Sequence, residues 1–329
     1  SVCPTSVSMW GTSINQTFCN HPSILLFGVI IYQHNPRRPI DQSDTSFYQF
    51  CVSMKPIFYP IIFILIFWVM QAVATAVVLL GSAVSNTYML EQIVESGTIP
   101  SNLIDTASPE LLAWSILASG IVTMAILALL QKTDWKRAIN IHIIDWGNSL
   151  AAIIGAIVCI MSLNITMEFF SLPDTMGTLF IDMAASPIGL FTMGVVSPVV
   201  EEFVFRESVL GHMLHRGMQK WMAIIISSLL FGVIHMNPVQ IPFAAGIGLV
   251  LGIIYYKTGN IVITSIIHII NNSLAAWQLN LMGTEIRTYS IIEEMGGPTI
   301  AFVGMSAGIG CSIWLIFHFW KHYKNPIDS

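Results

Sequence analysis

The sequence predicts an all-α polytopic membrane protein with about eight transmembrane helices, and three observations carry that prediction. Of its 329 residues, 54% are hydrophobic and only 9% charged, against roughly 25% charged in a soluble domain. With a mean hydropathy of +0.73, most of the chain is built to face something other than water. Eight apolar stretches reach or approach the ~20 residues that cross a hydrocarbon core. The connections between them alternate between basic and basic-free, as in a protein obeying the positive-inside rule.

The stretches lie near 56–82, 108–131, 147–167, 186–210, 219–238, 239–256, 261–283 and 297–320. Only Asn237-Pro238 separates the fifth from the sixth, so that hairpin is tight. The apolar run from Ser23 to Tyr32 is too short for an ordinary crossing. The two termini and the even-numbered connections hold eleven Lys and Arg, and the odd-numbered connections hold one, Arg287. This asymmetry is independent of the hydropathy that defines the stretches, and it places both termini in the cytoplasm. Trp68, Trp135, Trp146, Trp221, Trp314 and Trp320 lie in or near the stretches, where aromatic belts form.

Residues 1–53 are polar, rich in Ser, Thr, Asn, Gln and Pro, and lack the plan of a signal peptide. They read as a loosely ordered extension, and 54–329 as the transmembrane helical domain, opened by Met54-Lys55. None of the five cysteines lies within four residues of another, so there is no cysteine metal pair. A net charge of -5 without a basic patch excludes nucleic acid as a partner. Phosphate-binding glycine loops, Gly-x-Ser-x-Gly elbows and repeats are absent from the sequence.

Ionisable side chains inside crossings are costly and mark function by default. Here they gather at three places. Glu201, Glu202 and Arg206 end the fourth stretch, His235 ends the fifth, and His268 and Asn272 sit in the middle of the seventh. Glu202 and Arg206 are four apart and share a helix face, in the better order for an ion pair. Glu201 lies about 100° away around the helix, free for a different partner. His268 and Asn272 share a face, and Pro198 kinks the helix just before the glutamates. A carboxylate beside a histidine can move a proton between water and a leaving amine. A His–Asn pair can hydrogen-bond a developing oxyanion. Such a set hydrolyses amides without a serine or cysteine nucleophile. Glu202 with Arg206 also reads as a structural ion pair, and His235 as an interfacial residue. His268, central in an apolar segment, is harder to explain without chemistry.

The motifs Glu201-Glu202-x-x-x-Arg206, Phe231-x-x-x-His235 and His268-x-x-x-Asn272 occur in that order, each on an apolar helix. In this the chain resembles the CAAX prenyl endopeptidase type II and bacteriocin-processing group of intramembrane proteases, the CPBP family, over about residues 186–285. The resemblance implies an intramembrane endopeptidase. In it Glu201 and His235 activate water, His268 and Asn272 stabilise the oxyanion, and Glu202 and Arg206 support them. It implies a peptide or membrane-protein substrate, lipid-anchored proteins included, and residence among lipid in the cell (inner) membrane. Members have also been labelled zinc enzymes. With no His-Glu-x-x-His motif and the two histidines on different helices, a reaction without cofactor or metal is favoured over zinc. The other reading is a non-enzymatic immunity or partner-binding membrane protein using the same cavity. That cavity is expected to be deep and open to the cytoplasmic leaflet, because buried charges need water or partners.

Overall fold

The structure is a computed structural model that describes residues 42–85, 107–141, 144–170 and 172–323, with a few single positions between 86 and 106, and side chains from Pro56 onward. Most of the extension expected at 1–53 lies outside the described residues, as does Lys324. All regular structure among the described residues is helical. In chain order the helices are α1 (Gln42–Ser85), α2 (Pro109–Gln131), the short α3 (Trp135–Ala138), α4 (Trp146–Glu168) and α5 (Gly177–Ala184). Then come α6 (Pro187–His215), α7 (Lys220–Val233), α8 (Gln240–Thr258), α9 (Ile261–Met282), the short α10 (Ile291–Glu294) and α11 (Pro298–His322). The chain is thus an all-α integral membrane protein. α1 runs unbroken through Met54.

Among the described residues, seven helices are long and apolar enough to cross a membrane: α1 from Pro56 onward, α2, α4, α6, α8, α9 and α11. The expected fifth crossing is the exception. α7 has 14 residues, about 21 Å at 1.5 Å per residue, short of a ~30 Å core. The reason lies just beyond its end. Met236 takes a left-handed conformation, φ 51°. Asn237 is buried, its amide donating to Asp174 at 2.8 Å and its carbonyl oxygen accepting from the Thr175 N–H at 3.2 Å. The loop after α4 therefore satisfies the end of α7 inside the protein. α8 returns against α7 at backbone contact: a Cβ on Gly232 would lie 2.6 Å from the Ile241 carbonyl oxygen. Small residues permit such close pairing in membranes.

Burial separates core from rim. Half of the apolar window of α6 is buried, against 6% for α1 and 11% for α11. α6 is packed by α2, α7 and α9, around Phe203, Phe205, Leu210 and Phe231. Exposed Val69 and Val77 on α1, and Phe302 and Trp314 on α11, form the apolar outer surface that lipid would cover. Basic residues from separate connections gather at one end of the bundle. Arg216 lies over the ring of Tyr59, 5.9 Å from its centroid, and Lys220 and Lys257 both lie over Trp320. The start of the first apolar span and the end of the last are therefore at the same end.

Candidate active site

The site is built on the irregularity of α6. Pro198 has no N–H, so the carbonyl four residues back, that of Gly194, loses its helical donor. The helix widens ahead of it. Thr192–Val196 is π-helical, with the Ser197 N–H reaching back to the Thr192 carbonyl. Gly194 O accepts instead from the Ser273 hydroxyl of α9 at 3.1 Å, and Met193 O from the Asn272 amide at 3.5 Å. Glycine is needed here for space, because a Cβ at 194 would lie 2.9 Å from Ser273 Oγ. A second π segment, Phe203–Leu210, follows the glutamates. Such π turns recur at functional sites, and this pair ties α9 to the helix that carries Glu201 and Glu202.

Glu202 is fully buried, and its Oε2 lies 3.2 Å from Arg206 Nε, the ion pair that the spacing of four anticipates. Its Oε1 accepts from His268 Nδ1 at 3.0 Å. A carboxylate only accepts, so Nδ1 carries the proton. Glu201 approaches the same imidazole, at its Nε2. Its Oε2 lies 3.7 Å from His268 Nε2, beyond hydrogen-bond distance, and has no hydrogen-bond partner. The imidazole of His268 thus stands between two adjacent carboxylates.

Phe231 organises the remaining groups. The Arg206 guanidinium lies 4.7 Å from its ring centroid. His235 and His268 meet the ring edge-on at 5.0 and 5.7 Å. His235 sits in the turn after α7, half-buried, with Nδ1 2.8 Å from the Phe231 carbonyl oxygen. Because α7 stops short, His235 lies at the level of the glutamates instead of at the far end of a full crossing. Asn272 is half-buried. Its Oδ1 accepts from Asn271 at 2.9 Å, and its contact with Met193 O is at the long limit for a hydrogen bond.

The structure therefore brings Glu201, Glu202, Arg206 and His268 into one cluster and joins His235 to it through Phe231. Among the described residues, Glu201 makes no ion-pair contact with His235, the residue expected to share its water. Glu202, Arg206 and His268 are shut away, 3% exposed or less. Glu201, His235 and Asn272 make the accessible side. Two open concavities among the described residues lie away from this cluster, one between α1 and α2 and one beside α3.

A second polar cluster was not legible in the sequence. Glu207, directly after Arg206, bonds to the Arg137 guanidinium and accepts from the Tyr255 hydroxyl at 2.8 Å. Arg137 also donates to the Gly259 carbonyl at 2.7 Å. Burial disfavours the charge on Arg137, but Tyr255 and Glu207 outweigh it and raise its pKa above the ordinary value.

Zinc needs at least three protein ligands. Among the described residues no group of three His, Cys, Asp or Glu side chains is arranged to hold a metal. Glu202 and His268 Nδ1 are committed to Arg206 and to each other. Within that buried cluster only Glu201 Oε2 and His268 Nε2 remain, two atoms beside a buried guanidinium that repels a dication, short of the ligand set of a zinc site.

Residues 183–274 match the family model described as type II CAAX prenyl endopeptidase Rce1-like. The chain is 27% identical over 163 residues to the membrane-embedded CAAX protease MroQ of Staphylococcus aureus (strain USA300). That match covers 46% of this chain and 66% of the relative, so the chain spans just under two-thirds of that protein's length. No solved structure matches. All six residues of the three motifs lie within 183–274, so the segment that carries the site is the one that resembles the CPBP family of CAAX-protease-like membrane proteins.

Proposed function

We infer that the chain is an intramembrane endopeptidase in which Glu201 is the general base. The observation that carries this is the state of Glu201: its side chain is partly accessible and adjacent to His268, and its buried Oε2 is bonded to nothing. A nucleophilic water donates one hydrogen to Glu201 and the other to His235. The Nδ1 of His235 is held by the Phe231 carbonyl, which leaves Nε2 as an acceptor. The water oxygen attacks the scissile carbonyl carbon as Glu201 takes the proton. The oxyanion forms beside His268 and Asn272, whose amide is only loosely engaged. His268 donates from Nδ1 to Glu202, and its Nε2 faces the oxyanion. Glu202, fixed by Arg206, sets the ring's orientation, as the carboxylate does in a catalytic triad. When the C–N bond breaks, Glu201 returns its proton to the leaving amine, and no metal takes part.

The substrate is a peptide or membrane-protein segment at the bilayer, lipid-anchored proteins included. The end of the bundle bearing Arg216, Lys220 and Lys257 faces the cytoplasm, and the cell (inner) membrane is the site of action. The test is cleavage of a peptide library by purified protein, wild type against Glu201→Gln. The variant should fold in detergent and cleave at least ~10²-fold more slowly, the usual worth of a general base. Equal cleavage by both would remove Glu201 from the mechanism. Peptide binding without cleavage by either would make the site a receptor. Wild-type activity should survive prolonged phenanthroline, and loss restored by stoichiometric zinc would reverse the metal-free reading.

A further inference from the structure

At the basic end of the bundle, α7, α8 and α11 meet around one indole. Trp320 of α11 stacks with Tyr256 of α8, with centroids 5.7 Å apart, and with Trp221 of α7 at 6.2 Å. Two ammonium groups converge on its ring. Lys257 Nζ lies 5.4 Å and Lys220 Nζ 5.7 Å from the centroid. Lys220 also lies 5.5 Å from the Tyr256 ring and 5.8 Å from the Trp221 ring.

Both lysines are half-buried. Among the described residues neither has a carboxylate within ion-pair distance, since every ion pair belongs to Arg137, Arg206 or His268. Attraction to an aromatic face holds an ammonium in place but leaves its charge unneutralised. Lys220 is moreover the first residue of the 14-residue α7, whose positive end adds to the same field. Gln219 caps only the Met222 N–H there.

The surroundings indicate what neutralises this corner. α11 lies at the rim of the bundle. Ile313 and Phe317, each 64% exposed, continue the helix face that leads to Trp320. Anionic headgroup, glycerol and acyl chain thus find cations, aromatic rings and an apolar stripe in the order a phospholipid presents them. We propose that Lys220, Lys257 and Trp320 form a binding site for the phosphate headgroup of an anionic phospholipid. A basic pocket between helix ends of this kind is a sequence-independent lipid receptor.

The test is independent of proteolysis. The protein is reconstituted in phosphatidylcholine vesicles with and without phosphatidylglycerol, and retained lipid is read by native mass spectrometry after gentle extraction. Wild type retains phosphatidylglycerol in preference to phosphatidylcholine. Lys220→Gln and Lys257→Gln each weaken retention about fivefold, the worth of one basic side chain at an anionic surface. Lys136→Gln, an equal loss of charge elsewhere, leaves it unchanged. The pair Lys220→Arg and Lys257→Arg retains the lipid, which controls for folding. Equal loss in the Lys136 variant, or no preference for phosphatidylglycerol in wild type, would overturn the site. Displacement of the lipid by millimolar inorganic phosphate alone would also overturn it, in favour of a free-phosphate site.

Discussion

Two clusters of buried charge sit one turn apart on α6, and they are built differently. In the Glu207 cluster both carboxylate oxygens have partners, and Arg137 and the Tyr255 hydroxyl are bonded as well. In the Glu201–Glu202–Arg206–His268 cluster, Glu201 Oε2, Glu202 Oε2 and all three guanidinium nitrogens of Arg206 lack a well-formed hydrogen bond. A buried polar atom left unpaired costs about 1–3 kcal/mol. A protein with no use for such atoms replaces them with apolar side chains at little loss. The saturated cluster is thus a fastening, joining the connection after α2 to α6 and α8. The unsaturated one keeps bonding capacity in reserve, as a site does that completes its contacts only with substrate or water.

The largest expected effect comes from breaking the unsaturated cluster. Arg206→Met leaves Glu202 buried beside Glu201 without its cation, and should destabilise the protein by ~3–5 kcal/mol in thermal unfolding in detergent. Glu202→Gln combined with Arg206→Met removes both charges and should recover much of that loss while proteolysis stays low. A double variant no more stable than the single would mean that the ion pair is not where the cost resides.

Glu207 tests the other half of the comparison. Glu207→Ala strands Arg137 and Tyr255, and ~2–3 kcal/mol of stability should be lost, the scale of hydrogen bonds to a charged group. Glu207→Gln can still accept from Tyr255 and should cost about 1 kcal/mol. Turnover per folded molecule should stay within about twofold of wild type, against the ~10² loss expected at Glu201 if that residue is the general base we propose. A large fall in turnover with stability intact would erase the distinction between fastening and site.

The two clusters also differ in how far the sequence discloses them. Glu202 with Arg206 is a contact of four residues along one helix, and helical periodicity reveals it directly. His268 is 66 residues from Glu202, yet a histidine in the middle of an apolar segment is conspicuous by itself. Glu207 escapes notice because its partners are not on its helix. Arg137 is 70 residues away, in a connection where a basic residue needs no explanation. Tyr255 is 48 residues away and looks like any interfacial tyrosine. The same limit applies to α7. Hydropathy carries the fifth stretch on past His235, but its helix ends at Val233 because Asp174 and Thr175 satisfy Asn237. The π turns are partly legible in Pro198. The close approach of Ser273 to Gly194 is a tertiary fact that periodicity does not contain.

A third carboxylate, half-buried at a helix end, supplies the reference for both clusters and carries the smallest expected effect. Asp145 precedes the α4 span. It accepts from the Asn148 side chain at 2.7 Å and from the Asn148 backbone N–H at 3.2 Å, capping the helix. These bonds, the side-chain one first, hold its carboxyl below the usual range, against a small opposing effect of burial. The sign follows from that depression. Its stabilisation is present above the ordinary aspartate value of about 4 and is lost as pH falls through the lower folded value. Because the group is near solvent, screening keeps the effect local. The protection of the Asn148 and Ser149 amides, exchange taken relative to its intrinsic rate at each pH, should therefore fall on acidification below pH ~4, with protection in the rest of α4 unchanged. Asp145→Ala should cost about 1 kcal/mol at neutral pH. Asp145→Asn keeps a capping side chain but has nothing to titrate, so its exchange should lack the acid step. The same acid step in the Asn variant would assign it to another group. Its absence would give the response of a satisfied carboxylate in water, against which the buried pair on α6 can be judged.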